Sequence, residues 1–417
     1  MKEILISQNK HWNNQKYNYI KRDKLNKLIS YLPLKQIITI TGIRRSGKSS
    51  LTKLAINHLI DDGVNPKNIL FVNLENPFFL EYKHNPSYIH TIFEEYVKLL
   101  NPQGKIYCIF DEIQFFDNWQ VYIKSQYENS DIKYIITGSN SSLLSNDLNT
   151  LLSGRSLNIH LDTFSFGEFL DYKGIEYKDE FNKIQNKIEI KRNLDEYLKW
   201  GGFYEVFGVD EEIKNEILLS YAKNIIYQDI VPRYNIRNSE IVERLYFYLV
   251  SNVGGILNYS TLSQIFGISD KTIKEYIKYF EDVFLLKKID KYHTKQKEQI
   301  KSQKKIYSLD NGFLQIAPKH SKNLGNLLEN MAFIELNKID KVTYLKEVYE
   351  IDFKCNDILY QVSYDLSNLK TKQREFKAFE YLDKNNKFKH KIITYDENYI
   401  ENEIEVKSID EFLLKEI

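Results

Sequence analysis

The residues from position 42 to 50, GIRRSGKSS, have the types and spacing that bind phosphate groups. Gly42 and Gly47 are followed by Lys48 and Ser49, which matches the pattern G-x-x-x-x-G-K-[ST]. In such a loop the backbone N–H groups cradle the phosphates, the lysine reaches the β and γ phosphates, and the hydroxyl contacts magnesium. We therefore predict nucleotide binding by Gly42, Ile43, Arg44, Arg45, Ser46, Gly47, Lys48, Ser49 and Ser50.

The sequence around this loop predicts the strand and the helix that must hold it. Residues 36–41, QIITIT, are rich in β-branched residues, as expected of a buried parallel strand. Beyond the loop, apolar residues at helical spacing predict a helix that ends near Gly63. Such a helix directs its N-terminal N–H groups at the phosphates. A serine-rich turn without a ligand is the alternative interpretation.

Two acids, Asp111 and Glu112, follow the apolar run IYCIF. A P-loop enzyme needs a carboxylate at a strand end for magnesium and a second group that orients the attacking water. We predict that Asp111 and Ser49 bind Mg²⁺ and that Glu112 is the general base; the alternative is an ordinary strand end. Glu75, which follows a predicted strand at residues 69–72, is either a further water-positioning group or a surface carboxylate.

Polar residues also follow a third predicted strand, in the sequence DIKYIITGSN. In AAA-type nucleotide hydrolases a polar residue at this place senses the γ-phosphate, and Ser139 and Asn140 are the candidates; a capped turn is the alternative. Arg155 follows in SGRSLNIHLD. Arginine can bind transition-state phosphate charge, either in its own chain or from a neighbouring subunit, and a solvated arginine is the alternative.

Composition and charge restrict the class of protein. The chain has 417 residues, of which 42% are hydrophobic and 14% aromatic, so we expect several folded domains and not a disordered protein. The formal net charge of +1 requires any nucleic-acid contact to come from a local patch. The N-terminal sequence of the chain lacks the apolar segment of a signal peptide, and no apolar run in the chain is long enough for a membrane helix. The two cysteines and eight scattered histidines predict neither a disulfide nor a zinc site, so we expect a soluble cytoplasmic protein.

The sequence LNYSTLSQIFGISDKTIKEYIKYF has the pattern of a helix–turn–helix. A first helix from Ser260 to Phe266 meets Gly267, and Ser269 suits the N-cap of a second helix. The apolar face of the second helix would contain Ile273, Ile277 and Phe280. The opposite face, where a recognition helix contacts DNA, would contain Lys271, Lys274 and Lys278. A basic wing would follow, whereas a solvated lysine face or a protein-binding surface are the alternatives.

The last part of the chain alternates helix and strand from about residue 306. GNLLENMAFIEL is an amphipathic helix with Glu329 and Glu335, and YEIDFK is a strand with Glu350, Asp352 and Lys354 on one face. ILYQVSY, with Gln361 and Ser363, is its predicted hairpin partner. This arrangement resembles the PD-(D/E)XK nuclease fold, in which Glu329, Asp352 and Gln361 would mark the metal site. Ser363 stands where that fold has a lysine, so we expect a degenerate site without cleavage; a plain α/β domain is the alternative.

As a whole, the chain resembles the archaeal and bacterial AAA-type ATPases in which a winged helix and a restriction-endonuclease-like domain follow the core. The motifs that carry the resemblance extend from about residue 20 to 395 and include GIRRSGKSSL, DEIQFFDNWQ, ITGSNSSLLS, SGRSLNIHLDTFSFGEFL, YLKWGGFYEV, YQDIVPRYNIRN, KKIYSLDNGF and EIDFKCNDILYQVSY. The resemblance implies ATP hydrolysis on a five-stranded parallel core, with Arg155 as the arginine finger.

Together these observations predict an α/β protein with a P-loop AAA-type parallel sheet core, a helical lid, a winged helix–turn–helix and a restriction-endonuclease-like domain. The predicted limits are 1–20 for an N-terminal extension, 21–165 for the core, 166–238 for the lid, 239–300 for the winged helix and 301–417 for the last domain. The predicted function is Mg²⁺-dependent ATP hydrolysis on or near DNA, with a homo-oligomer and DNA as partners and no membrane. The alternatives are a nucleotide-switched signalling or scaffold protein with slow hydrolysis, and a nuclease controlled by ATP.

Overall fold

In the computed structural model the chain divides after Asp162 into two units, residues 1–162 and 163–417. The structure describes residues 1–141, 154–318 and 324–414. Residues 142–145 and residue 153, which belong to two of the motifs that carry the family resemblance, lie outside the described residues. No helix within the described ranges is both long enough and apolar enough to span a bilayer.

The first unit alternates helices and strands, as the sequence predicts. Its described helices are α1 (Lys2–Gln8), α2 (Lys24–Tyr31), α3 (Lys48–Asp61), α4 (Tyr88–Leu100) and α5 (Trp119–Asn129). Its described strands are β1 (Ile37–Thr41), β2 (Ile69–Asn73), β3 (Ile106–Asp111), β4 (Ile132–Gly138) and β5 (Ser156–His160).

The five strands form one parallel sheet in the order β2-β3-β4-β1-β5. Two clusters of buried apolar side chains contain residues from these strands and from the helices. Every residue of β1 is buried, which explains its continuous apolar sequence. Because the strands are parallel, the residues that follow β1, β3 and β4 lie at the same edge of the sheet. The predicted α/β fold with a parallel P-loop core is confirmed.

Residues 8–12 cover the free edge of β2, which is the outermost strand of the sheet. Asn9 accepts a hydrogen bond from the backbone N–H of Phe71 and donates one to its carbonyl oxygen, at 2.7 and 2.8 Å. Trp12 donates to the carbonyl oxygen of Ile69 at 2.7 Å. An uncovered edge strand invites pairing with other chains, and these side chains occupy its hydrogen-bonding groups. The predicted N-terminal extension thus packs as part of the first unit.

The second unit contains a run of helices and a large mixed sheet. Its described helices are α6 (Phe166–Lys173), α7 (Glu180–Gln185), α8 (Lys187–Trp200), α9 (Glu211–Asn224), α10 (Ser239–Ser251), α11 (Tyr259–Phe266), α12 (Asp270–Asp282), α13 (Gln296–Lys301), α14 (Leu324–Ile339), α15 (Leu369–Leu382) and α16 (Ile409–Leu413). Its described strands are β6 (Leu286–Lys291), β7 (Lys304–Ser308), β8 (Thr343–Lys346), β9 (Glu350–Cys355), β10 (Ile358–Val362), β11 (Lys389–Thr394), β12 (Tyr399–Glu401) and β13 (Ile404–Ser408).

These eight strands form a single sheet in the order β12-β13-β11-β10-β9-β8-β6-β7. The strands β9 and β10 pair as the predicted antiparallel hairpin. The strands β6 and β7 also form an antiparallel hairpin, and β6 pairs in parallel with β8. The predicted domain limit at residue 300 falls inside the β6-β7 hairpin, so the basic segment that follows the helix–turn–helix belongs to the same sheet as the C-terminal strands.

A buried carboxylate, Asp310, joins two motifs that are distant in the sequence of the second unit. Its Oδ2 accepts hydrogen bonds from the Thr163 hydroxyl at 2.7 Å and the Gly202 N–H at 2.9 Å, and its Oδ1 accepts one from the Gly312 N–H at 2.8 Å. Gly201 has a φ of +71°, and a Cβ there would lie 1.9 Å from Asp310 Oδ1. The motifs YLKWGGFYEV and KKIYSLDNGF therefore meet around one carboxylate, and only glycine fits position 201.

Candidate functional site

The loop from Gly42 to Ser49 connects the end of β1 to the start of α3. Gly42 has a φ of +152°, and a Cβ there would lie 2.1 Å from the carbonyl oxygen of Leu161. Gly47 has a φ of +93° and directly precedes α3. Glycine is required at 42 by the close approach of another backbone and at 47 by the left-handed conformation. The N-terminal N–H groups of α3 open onto this loop, which is the arrangement that binds phosphate.

Lys48 is buried, and the protein itself holds its ammonium group within the loop. Nζ donates to the carbonyl oxygens of Gly42 and Ile43 at 3.0 and 3.1 Å. It also lies 3.7 Å from Oε1 of Glu112. The loop cation and the acid after β3 are thus neighbours, although 64 positions separate Lys48 from Glu112 in the numbering.

Asp111 is fully enclosed at the end of β3, where two hydroxyl groups donate hydrogen bonds to it. Ser49 donates to Oδ2 at 2.7 Å, and Thr137 donates to Oδ1 at 2.6 Å. A serine hydroxyl and a carboxylate in contact are the hard oxygen ligands that Mg²⁺ takes from a protein when substrate phosphates and water complete its shell. Within the described ranges no three acidic, histidine or cysteine side chains group to form a metal site. The residues present therefore fit a magnesium ion that is shared with a nucleotide.

Glu112 adopts a strained backbone conformation and is held by several side chains. Its φ of +55° is unusual for a non-glycine residue. Its backbone N–H donates to the Thr137 hydroxyl at 3.0 Å. Gln114 Nε2 donates to Oε2 of Glu112 at 2.5 Å and to the Ser139 hydroxyl at 3.1 Å. Strain of this kind persists where the surroundings fix the residue, as they do here.

The electrostatic surroundings give the two acids different affinities for protons. Burial and the nearby Glu112 charge raise the pKa of Asp111, although the hydrogen bonds from Thr137 and Ser49 partly oppose this. Burial also acts to raise the pKa of Glu112, but Lys48 and the Gln114 hydrogen bond outweigh it and place this pKa below its ordinary value. Glu112 is therefore a carboxylate at neutral pH, as a proton acceptor must be.

The remaining loop residues have individual environments. Arg44 forms an ion pair of 2.5 Å with Glu75, the acid that was predicted as a further water-positioning group. Glu75 therefore contacts the loop, but its side chain is exposed. Arg45 has a φ of +71° and is exposed. The Ser46 hydroxyl is buried and has no hydrogen-bond partner among the described residues, and Ser50 is half-buried on the first turn of α3.

Ser139 and Asn140 lie at the same edge of the sheet as the loop. Both are buried and directly follow β4, which pairs with β1 on one side and β3 on the other. Ser139 shares the Gln114 amide with Glu112, as described above. The structure therefore places the two predicted γ-phosphate sensors beside the acids.

Arg155 lies at the opposite edge of the sheet. It directly precedes β5, and its carbonyl oxygen accepts a hydrogen bond of 2.7 Å from the N–H of Ile37, the first residue of β1. The loop begins only after Thr41, about 16 Å further along β1. The Arg155 guanidinium forms an ion pair of 2.9 Å with Glu128. The structure does not bring Arg155 to the loop of its own chain.

Three residues near the loop were not predicted from the sequence. Arg22 is buried and donates to the carbonyl oxygens of Ser46 and Asp162, at 2.5 and 2.9 Å. No motif spacing in the sequence points to Arg22, because Arg22 precedes β1 by more than ten residues. Thr137 was detectable as a polar residue in an apolar strand, and Gln114 as a polar residue two positions after Glu112.

The segment predicted to be a helix–turn–helix contains the helices α11 and α12, and Gly267 follows the first of them. Ser269 accepts a hydrogen bond from the N–H of Thr272 and so caps α12, whose buried residues are Ile273, Ile277 and Phe280. The predicted DNA-contacting residues Lys271, Lys274 and Lys278 are exposed. Lys271 lies 4.0 Å from Glu275, and the Lys274 ammonium lies 5.0 Å from the ring centre of Tyr259. Among the described residues, the ion pair recorded at these three lysines is the long one between Lys271 and Glu275.

In the C-terminal sheet, the predicted degenerate nuclease residues come together. Gln361 is buried; its Oε1 accepts from the Asp352 N–H at 2.9 Å, and its Nε2 donates to Glu375 at 2.7 Å. Burial and the Glu329 charge raise the pKa of Asp352 well above its ordinary value. Such a carboxyl binds a proton more readily than an exposed one, which opposes metal binding.

The cation in this cluster is Lys305 on β7 and not Lys354. The buried Lys305 ammonium forms an ion pair with Glu350 and lies 3.8 Å from Glu329. Lys354 instead donates to the carbonyl oxygen of Asn356 at 2.6 Å. Glu335, the other acid of α14, pairs with Lys338. Lys354 and Glu335 therefore have hydrogen-bond or ion-pair partners other than Asp352 and Gln361.

The fold and the loop define the class: a P-loop protein with a parallel five-stranded sheet. Comparison with known families agrees, because residues 34–170 match the model of an AAA domain and residues 191–323 match a domain of unknown function. An uncharacterized protein of Haemophilus influenzae is 33% identical over 358 residues, which cover 82% of this chain and 86% of the relative. An uncharacterized protein of Methanocaldococcus jannaschii is 33% identical over 406 residues, which cover 93% of this chain and 87% of the relative. The chain belongs to the P-loop ATPase family that these relatives represent.

Two solved structures have limited similarity to this chain. The Aeropyrum pernix Orc1 protein in complex with DNA is 10% identical and has a TM-score of 0.32, with 69% of this chain and 90% of that chain covered. The AMPPCP-bound DnaA protein of Aquifex aeolicus is 14% identical and has a TM-score of 0.29, with 65% and 90% covered. The family assignment depends on the sequence relatives and not on these structures.

Proposed function

We propose that the protein hydrolyses ATP in a magnesium-dependent reaction at the loop of the first unit. The observation that carries the proposal is the direct hydrogen bond between Ser49 and Asp111, beside Lys48 and Glu112. It unites a phosphate-binding cation, two magnesium ligands and a charged general base at the carboxyl edge of one sheet. Ser49 and Asp111 would hold the magnesium ion, which supplies positive charge at the phosphate oxygens when bound.

The bound nucleotide changes the partners of Lys48. In the structure its ammonium is satisfied by two loop carbonyls and by Glu112. When the β and γ phosphates enter the loop, they attract this ammonium and separate it from Glu112. Glu112 then accepts a proton from the attacking water, while Ser139 and Asn140 contact the γ-phosphate from the end of β4. ATP binding and activation of the base are thereby coupled through one lysine.

We propose further that Arg155 acts on the nucleotide of a neighbouring subunit. Its place at the opposite edge of the sheet supports action between chains and not within one chain. The exposed lysines of α12 support DNA as the second partner, since a capped helix with cations on its free face suits phosphate contacts. The C-terminal sheet would serve as a docking surface and not as a nuclease, because Lys305 occupies the acidic cluster.

ATP turnover measured with and without DNA tests this proposal. We expect phosphate release that requires magnesium, disappears in Lys48→Ala and leaves added DNA intact. Turnover stimulated by DNA would support action on DNA. Nucleotide binding without turnover would favour the nucleotide-switched scaffold, which the coupling of Lys48 to Glu112 also permits. Loss of DNA integrity would favour the nuclease.

A further inference from the structure

We propose that Gln114 positions the attacking water together with Glu112, an inference that rests on the proposed ATPase function. Gln114 follows Glu112 by two residues, at the edge of the sheet where the loop lies. Its amide nitrogen contacts Glu112 Oε2 at 2.5 Å and Ser139 Oγ at 3.1 Å. One amide group therefore connects the general base to the predicted γ-phosphate sensor.

The carbonyl oxygen of the same amide supplies the second observation. Gln114 Oε1 is buried and has no hydrogen-bond partner among the described residues. Leaving a buried acceptor without a partner destabilises the folded state, and native proteins keep few such groups. A partner that comes with the substrate would satisfy it. A water molecule donates two hydrogens, so it can contact Glu112 and Gln114 at once.

The geometry around Glu112 explains why a second acceptor is useful. The Lys48 ammonium lies 3.7 Å from Oε1 of Glu112, and the Gln114 amide nitrogen donates a hydrogen bond to Oε2. A carboxylate alone fixes one hydrogen of the water and leaves rotation about that bond free. An acceptor for the other hydrogen orients the oxygen lone pair toward the γ-phosphorus, which is the role of a water-positioning glutamine in phosphoryl transfer. Proton transfer still goes to Glu112, and the amide carbonyl of Gln114 accepts only a hydrogen bond.

Gln114→Ala removes both the donor and the acceptor. We expect kcat to fall by about 100-fold, since misoriented reactants lose rate on this scale. The affinity for a nonhydrolysable ATP analogue, measured by titration calorimetry, should stay within a factor of about 2, because the hydrogen bonds of Gln114 go to Glu112 and Ser139 and not to the phosphate loop. Gln126→Ala on α5 is the matched control, a half-buried glutamine outside the site, and should retain wild-type kcat.

Gln114→Met separates this role from a packing role. Methionine is close to glutamine in length and volume but has neither the amide donor nor the carbonyl acceptor. The kcat of Gln114→Met should therefore fall as far as that of Gln114→Ala, with the affinity for the ATP analogue unchanged. A packing role would instead restore the kcat of Gln114→Met toward wild type.

The wild type and Glu112→Gln are measured alongside these variants. Retention of wild-type kcat by Gln114→Ala or by Gln114→Met would overturn the inference about Gln114 while leaving the ATPase proposal intact. An equal loss of kcat and ATP affinity in Gln114→Ala would also overturn it, because it would indicate disruption of the loop. Absence of turnover in the wild type would instead contradict the ATPase proposal, and the inference with it.

Discussion

The Ser49 hydroxyl donates a hydrogen bond of 2.7 Å to Asp111 Oδ2. Ser49 is the second residue of α3 and Asp111 is the last residue of β3. The contact therefore joins the start of the helix that follows the phosphate loop to β3, which lies two strands away from β1 in the sheet. The strand between them, β4, contributes the Thr137 hydroxyl to the other oxygen of Asp111. Three neighbouring elements thus fix one carboxylate where the substrate phosphates would bind.

Arg155 gives a test of assembly. Arg155→Ala should lower turnover by about 1,000-fold or more if the residue acts as an arginine finger, and should not change ATP affinity. Mixing Arg155→Ala with Glu112→Gln protein should restore part of the activity, because one interface then pairs an intact Glu112 with an intact Arg155. Phosphate release from defined mixtures, with oligomers verified by light scattering, is the measurement. No recovery in a demonstrated mixed oligomer would argue against action between subunits.

The lysines of α12 give a test of DNA binding. Replacing Lys271, Lys274 and Lys278 together with alanine should weaken DNA binding and lower the slope of log affinity against log salt by up to about 2.7. Fluorescence anisotropy over a salt series measures both quantities. Three exposed lysines of the first unit, Lys27, Lys67 and Lys105, form the control set and should leave the slope unchanged. A slope equal to wild type in the α12 variant would indicate a protein-binding surface.

The C-terminal cluster gives a test of nuclease activity, for which we expect none. Gln361 offers an amide whose nitrogen and oxygen are already engaged, and the buried Lys305 supplies the positive charge that a metal ion would bring. Plasmid DNA should remain supercoiled after incubation with the protein and magnesium or manganese. Nicking that disappears in Asp352→Ala but persists in Lys48→Ala would contradict this expectation.

Asp310 gives a test of pH-dependent stability. Burial raises its pKa to about 6, whereas an unfolded aspartate titrates near 4. Because the folded state binds the proton more tightly, folding is favoured as the pH falls through 6. The difference in unfolding free energy between wild type and Asp310→Asn should grow in favour of wild type by about 1 kcal/mol from pH 7.5 to 5.5. Urea unfolding at both pH values is the measurement, and a difference independent of pH would contradict the assignment.

Local patterns were sufficient to predict the nucleotide loop and its neighbours. The strand before Gly42, the helix after Gly47 and the acids after β3 all follow from residue types within about ten positions. The parallel order of the strands then places Asp111 and Ser139 beside the loop, as predicted. The same reasoning could have placed Arg155 at the opposite edge of the sheet. Arg155 precedes β5, whereas Asp111 ends β3 and Ser139 follows β4.

Contacts between distant elements were not predictable in this way. Lys305 and Glu375 enter the C-terminal cluster from β7 and α15, and no spacing in the sequence connects them to Asp352. The pairing of β6 with β8 was likewise not predictable from the sequence, because the partner of a strand depends on the whole sheet. Arg22 likewise reaches Ser46 only through the path of the folded chain.

The most direct test of the account compares Glu112→Gln with Glu75→Gln in single-turnover ATP hydrolysis. Glu112 is enclosed beside Lys48, whereas Glu75 is exposed and paired with Arg44. We predict that Glu112→Gln binds ATP normally and loses turnover by about 100-fold or more, as expected for a lost general base, while Glu75→Gln stays within about 10-fold of wild type. Normal hydrolysis by Glu112→Gln together with loss in Glu75→Gln would contradict the account and assign the base to Glu75.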